Sequence, residues 1–191
     1  MVRETARREK FAEAATDYVL EHGLVGLSLR PLAAELGTSD RMLLYHFDGK
    51  DDLVATVLRV SNDRSVAEIR ALSPAPDVRT AVLDLWAAVT SPRLDRCQRM
   101  YAEAAALGLF GREPYATVVH EANEVWIAAV GEHLVASGMP AGLARRAVVL
   151  LDAGLMDFQL DLPLAHGNPV LEQAVSDLAD AIGAIARQGS A

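Results

Sequence analysis

Residues 37–53 read GTSDRMLLYHFDGKDDL, and within that stretch Arg41, Tyr45, His46 and Lys50 place a guanidinium, a phenol, an imidazole and an ammonium on ten residues. That is a donor set for a polyanion. An arginine matches the paired acceptors on the major-groove edge of guanine, and the other donors suit phosphate oxygens. A lysine at a helix start is helped at a phosphate by the N-terminal dipole. Asp40 either accepts from cytosine N4 or complements the positive end of its own helix. Met42 either touches a thymine methyl or fills core. His46 either touches a phosphate or packs, and Phe47 reads as core.

Other reactive residue types lack the company they need. His120 and Glu124 in HEANE stand one helical turn apart. A zinc-protease helix needs a second histidine where Glu124 stands, so this pair supplies two ligands and no evident third. Cys97 sits in LDRCQRM with no base nearby, and a free cysteine is often a small apolar residue. No nucleophile–base pair, metal set or phosphate loop emerges, so the sequence calls for no enzyme activity, cofactor or metal.

The donors need helices to hold them. The 191 residues are 51% hydrophobic with few aromatics, a composition that suits an all-α chain. No apolar run approaches the ~18 residues that span a membrane, and the basic N-terminus leads into no apolar signal core. The expected address is the cytoplasm, with no membrane partner. One cysteine excludes an internal disulfide framework. Residues 1–50 hold 7 Lys/Arg against 8 Asp/Glu, so most of the net charge of −8 lies in residues 51–191. Arg3, Arg7, Arg8 and Lys10 cluster at the start, as a solvated helix end or a phosphate-facing arm.

Periodicity predicts a first helix over 3–22, with Phe11, Ala14, Ala15, Tyr18, Val19 and His22 on one stripe and Gly23 ending it. Ser28 caps a second helix, and Gly37 ends it after about two turns. Ser39 caps a third, running to about 46. Two short helices around Gly-Thr-Ser match a helix-turn-helix, with Leu43 plugging the space between them. A fourth helix follows over about 50–71. After the break at SPAPD (73–77), five more are expected near 77–90, 93–108, 112–137, 140–161 and 168–187, with Gly167 marking the last break.

The segment LSLRPLAAELGTSDRMLLYHFDGKDDLVATVL resembles the DNA-binding part of the tetracycline-repressor (TetR) family of bacterial transcription regulators. The family pattern is roughly Gly-Val-Ser-Lys-Gly-Thr-Leu-Tyr-Tyr-His-Phe, then a Lys and a Leu. Here it runs ungapped from Gly37 to Phe47, followed by Lys50 and Leu53, and the likeness covers about residues 7–58. Departures are Asp40 for Lys, Arg41 for Gly, Met42 for Thr and Leu44 for the first Tyr. Leu44 removes an aromatic phosphate ligand, and Arg41 adds a charge the pattern lacks. Arg30 corresponds to a position that often touches DNA in the family.

The resemblance implies an all-α fold of about nine helices. A DNA-binding domain spans 1–50, and a ligand-binding and dimerisation domain spans 51–191, joined through the fourth helix. It implies double-stranded DNA with a palindromic operator as partner, a small-molecule effector, and a homodimer through the last two helices. The DNA-binding residues expected are Arg30, Ser39, Asp40, Arg41, Met42, Tyr45, His46 and Lys50. In the larger part, aromatic and soft side chains read either as ordinary core or as the lining of an apolar pocket with polar anchors. The effector residues expected are Trp86, Met100, Tyr101, His120, Glu124, Trp126, Phe158 and Gln159, for an uncharged or cationic, mostly apolar ligand. The stripes Leu143, Ala147, Leu150, Gly154, Phe158 and Leu171, Ala174, Leu178, Ile182, Ile185 suit a two-fold interface. The function expected is a ligand-responsive repressor. The alternative is a helical module that sequesters a ligand or partner and has lost specific DNA binding.

Overall fold

A computed structural model describes residues 2–161 and 169–189, with the side chains of Val2 and Arg3 outside that description. Among the described residues the chain is all-α, with nine helices: α1 (Val2–His22), α2 (Leu29–Glu35), α3 (Asp40–Tyr45), α4 (Lys50–Arg70), α5 (Val78–Val89), α6 (Pro92–Leu109), α7 (Tyr115–Ala136), α8 (Ala141–Asp161) and α9 (Pro169–Gln188). Each falls within a few residues of its sequence expectation. Gly167 and the expected start of the last helix at 168 lie outside the described residues.

The chain forms two compact units, each built from separated segments. The first takes residues 1–65 and 96–123, and the second takes residues 66–95 and 124–191. This differs from the division expected at residue 50. Met100, Ala104 and Val118, from α6 and α7, share one buried cluster with the helix-turn-helix, so that core is not closed by the first fifty residues alone.

In the first unit, Gly23 ends α1 with φ 85° and Gly37 makes the α2–α3 turn with φ 64°, both in the left-handed region that glycine occupies at little cost. Ser39 caps α3, its hydroxyl accepting from the Met42 amide at 3.2 Å. Ser28 precedes α2 in an extended conformation, but its side chain makes no capping bond. Leu32, Leu43 and Leu53 are fully buried. They come from α2, α3 and α4, so apolar burial at one point fixes three helices. The buried face of α1 is Ala12, Ala15, Thr16 and Val19, while Ala14 and His22 of the expected stripe are exposed. Arg64 of α4 pairs with Glu13 and Asp17 of α1.

In the second unit, α9 packs against α5 and α8. Leu85, Leu134, Leu151 and Ile182 are fully buried in its core. At Gly154 a Cβ would lie 2.7 Å from Leu178 Cδ2, so a side-chain-free position lets α8 and α9 approach closely. Asp77 caps α5 by accepting from the Thr80 amide at 2.7 Å, and this bond holds its carboxyl below the usual range. Among the described residues, no helix is long and apolar enough to cross a membrane.

Candidate nucleic-acid interface and effector residues

Helix α3 is short, and its orientation is set by two buried anchors, Leu43 and Phe47. A helix turns about 100° per residue, so Arg41 and Tyr45 share a face turned away from Leu43. Asp40, Arg41 and Met42 are exposed, and Tyr45 is 68% exposed. Arg30 on α2 is exposed as well, and neither it nor Arg41 has a hydrogen-bond or ion-pair partner among the described residues. Two guanidiniums without a partner among the described residues and a phenol are therefore exposed on the helix-turn-helix. The Tyr45 hydroxyl donates to Glu4 Oε1 at 3.3 Å, a bond made on the surface. Leu44, where the resemblance has an aromatic phosphate ligand, is half-buried.

Three cations of this region are otherwise engaged. Arg8 Nε donates to the His46 carbonyl at 3.0 Å, Arg8 Nη2 donates to Asp52 at 2.9 Å, and the guanidinium lies 4.9 Å from the Phe47 ring centroid. That side chain ties α1, the end of α3 and the start of α4 together, and a phosphate-facing arm is not its geometry. Arg7 lies over the Phe11 ring at 5.7 Å. The Lys50 ammonium donates to the Leu27 carbonyl, so a phosphate would be met only by its remaining N–H groups. The Arg3 side chain lies outside the described residues.

The His46 ring packs 5.2 Å from Phe11 and 5.2 Å, edge-on, from Tyr45. Its Nε2 is buried without a hydrogen-bond partner, which removes that nitrogen from the reach of a phosphate and favours packing of the two readings. Ser39 serves its own helix as the cap.

The eight expected effector residues divide between the two units. Met100, Tyr101 and His120 belong to the first, where Met100 is core and His120 is exposed. Trp86, Glu124, Trp126, Phe158 and Gln159 belong to the second. Trp86 meets Phe158 edge-on, with ring centroids 6.2 Å apart. Gln159 is buried and gives its amide to the Val89 carbonyl at 3.0 Å, which joins α8 to α5. Glu124 is exposed and paired with Arg145, both oxygens 3.1 Å from Nη2. An anchor already neutralised at the surface is a poor one for a ligand. The indole of Trp126 donates to Asp152 Oδ1 at 2.8 Å.

Asp152 escaped the sequence reading. Its signal was an acid set among apolar residues in LLDAGLM of α8. Burial pushes its carboxyl above the usual range, partly offset by the Trp126 bond. A cleft of about 430 Å³ lies elsewhere in the second unit, between Asp77, Arg79, Ser137 and Arg187, and holds none of the expected residues. Among the described residues no three His, Cys, Asp or Glu side chains gather as a metal site, and Cys97 is buried.

Residues 12–57 match the family model described as bacterial regulatory proteins, tetR family. No curated protein matches the chain. Among solved structures, a transcriptional regulator from Rhodococcus sp. Rha1 is 24% identical, with 95% of this chain and 96% of that one covered at a TM-score of 0.71. A TetR-family regulator from Rhodococcus sp. is 18% identical, covering 94% and 98% at a TM-score of 0.70. A transcriptional regulator from Saccharomonospora viridis, solved in complex with choline, is 17% identical, covering 92% and 95% at a TM-score of 0.68. These likenesses show the fold along nearly the whole chain, and the matched segment coincides with the helix-turn-helix built above. Residues 12–57 thus carry the N-terminal segment of the tetR-family bacterial regulatory proteins, on an all-α fold that the chain shares with these solved structures.

Proposed function

We propose that the protein is a ligand-responsive transcriptional repressor that binds a palindromic operator as a homodimer. The observation that carries this reading is the outer face of α3. There a capped, doubly anchored helix presents Arg41 and Tyr45, α2 exposes Arg30, and neither arginine has a partner among the described residues. Arg41 is assigned to a guanine edge. Arg30, Tyr45 and Lys50 are assigned to phosphates, Ser39 and His46 to holding the helix, and Asp40 and Met42 to the base edges beside Arg41. The net charge of −8 does not oppose this, because screening over about 8–10 Å leaves the local field dominant at contact.

Exposed apolar side chains on the last two helices support the dimer: Val149, Leu150 and Leu160 of α8 are about half exposed, and Val170 of α9 is 69% exposed. Ala147, Ile182 and Ile185 of the expected stripes are buried within the chain, so the interface draws on the neighbouring face. The choline held by the Saccharomonospora viridis relative supports a small-molecule effector in this fold. Helix α4 contributes Lys50–Ser65 to one unit and Val66–Arg70 to the other, which suits it to carry an effector's displacement to the reading helices. Affinity then falls because two reading helices no longer match successive major grooves.

The test is selection of bound genomic fragments by the purified chain at low and moderate salt. One enriched inverted repeat, lost in Arg41→Ala and Tyr45→Ala, is the expected result. A second reading is a sequestering module without specific DNA binding, favoured by Asp40 on the reading face and by the Tyr45 hydroxyl resting on Glu4. Sequence-blind binding, unchanged by either substitution, would establish that reading instead.

A further inference from the structure

Asp152 and Trp126 form a pair whose charge is unmatched. Asp152 is partly buried on α8, and among the described residues its one hydrogen-bond partner is the neutral indole N–H of Trp126 on α7. Of the two cations on α8, Arg146 is turned about 120° away from Asp152, and Arg145, on the same face, is two turns away and paired with Glu124. On α8, Val148 precedes and Met156 follows at one-turn intervals, so the carboxylate emerges between two apolar side chains. Val148 is fully buried and Met156 half-buried.

A carboxylate taken out of water is costly unless a cation or several donors compensate it. Accepting from one indole does not require a charge. Asparagine would offer the same carbonyl acceptor at lower cost, so a structural role accounts for the hydrogen bond and not for the acid. Burial also pushes the carboxyl up, and no positive group opposes it. Uncompensated ionisable groups of this kind cluster at functional sites.

Resting on the effector-responsive reading above, we infer that Asp152 is the anchor for a positively charged effector, with an ammonium on Asp152 Oδ2 and an apolar body along Trp126 and Met156. The Trp126 bond holds Oδ1 and leaves the second oxygen to the ligand. An ammonium beside an indole also gains from the negative face of the ring.

The experiment is calorimetric titration of the full chain and of Asp152→Asn with hexylammonium and hexyltrimethylammonium, each against its uncharged isostere with carbon in place of nitrogen. Asparagine keeps an acceptor for the Trp126 indole. The expected result is that the wild type prefers at least one cation over its isostere by about tenfold or more, and that Asp152→Asn erases the preference while still folding. Equal binding of cation and isostere, or undiminished cation binding by Asp152→Asn, would overturn the assignment and leave Asp152 as the indole's acceptor alone. Operator release measured in parallel separates the two readings. Neutral molecules that release both proteins from DNA, with the cations inert, sink the cation site and keep the repressor. Asp152-dependent cation binding by a chain that never binds an operator keeps the site and sinks the repressor.

Discussion

The Glu103 carboxylate accepts from the backbone amides of Leu24 and Val25, at 2.8 and 2.6 Å, clasping the α1–α2 loop to α6. Those amides follow the end of a helix and have no regular partner, so one acid satisfies two donors. Glu103→Ala removes the one oxygen, Oε2, that accepts from both amides, and is expected to cost about 1–3 kcal/mol, read by urea denaturation. Amide exchange at Leu24 and Val25 should accelerate in that variant. Glu103→Gln, which keeps one carbonyl, should recover part of the loss. An unchanged midpoint in Glu103→Ala would show the clasp to be inert.

Arg8 distinguishes an internal tie from a phosphate arm. As a tie to His46, Asp52 and Phe47, it should destabilise the chain by about 1–3 kcal/mol on Arg8→Ala, with Arg8→Lys losing much of this because an ammonium lacks the fork. As an arm, it would leave the melting curve alone and reduce the salt slope of DNA binding by about one. The structure favours the first outcome.

His46 keeps a buried nitrogen without a partner, a cost of about 1–3 kcal/mol by itself. His46→Phe removes the nitrogen and keeps an aromatic ring between Phe11 and Tyr45, so stability should hold or rise. DNA affinity should fall less than threefold. A tenfold loss of affinity with unchanged stability would restore the phosphate contact.

Two groups in the second unit set a pH dependence of opposite sign. Burial pushes the His133 imidazole below its ordinary value of 6.5, against a smaller opposing pull from Asp84. Above that value both folded and unfolded forms are neutral; below it the unfolded chain takes up a proton the folded one refuses, and stability falls. Asp152 is raised, so the unfolded chain ionises first and its penalty grows as pH rises above the ordinary 3.8. Asp152→Asn should therefore raise the melting temperature at neutral pH, the gain shrinking toward zero near pH 4. His133→Gln should flatten the loss of stability between about pH 7 and pH 5. Melting curves across that range check both.

Local signals were legible in the sequence because they act over a few residues. Ser39, Gly23 and Gly37 mark caps and turns by chemistry that needs no tertiary context, and Leu43 and Phe47 fall where the turn requires anchors. Arg8, Lys50 and Glu103 were not legible as ties, since their partners lie 23–79 residues away. Residue type alone does not separate Glu124, neutralised at the surface, from Asp152, uncompensated on a partly buried face. Trp126 stands out in the sequence by type, but its bond to Asp152, 26 residues on, does not.

The interleaving of segments 1–65 and 96–123 bears on how chains of this fold can be recombined. A graft that moves only the first fifty residues onto another relative leaves behind Met100, Ala104, Val118 and the Glu103 clasp. The transplanted head would then meet a foreign α6, with a gap where methionine stood and two amides in search of an acid. Exchange of DNA specificity between relatives should succeed either by rewriting the outer face of α3 alone, or by moving both segments as one piece.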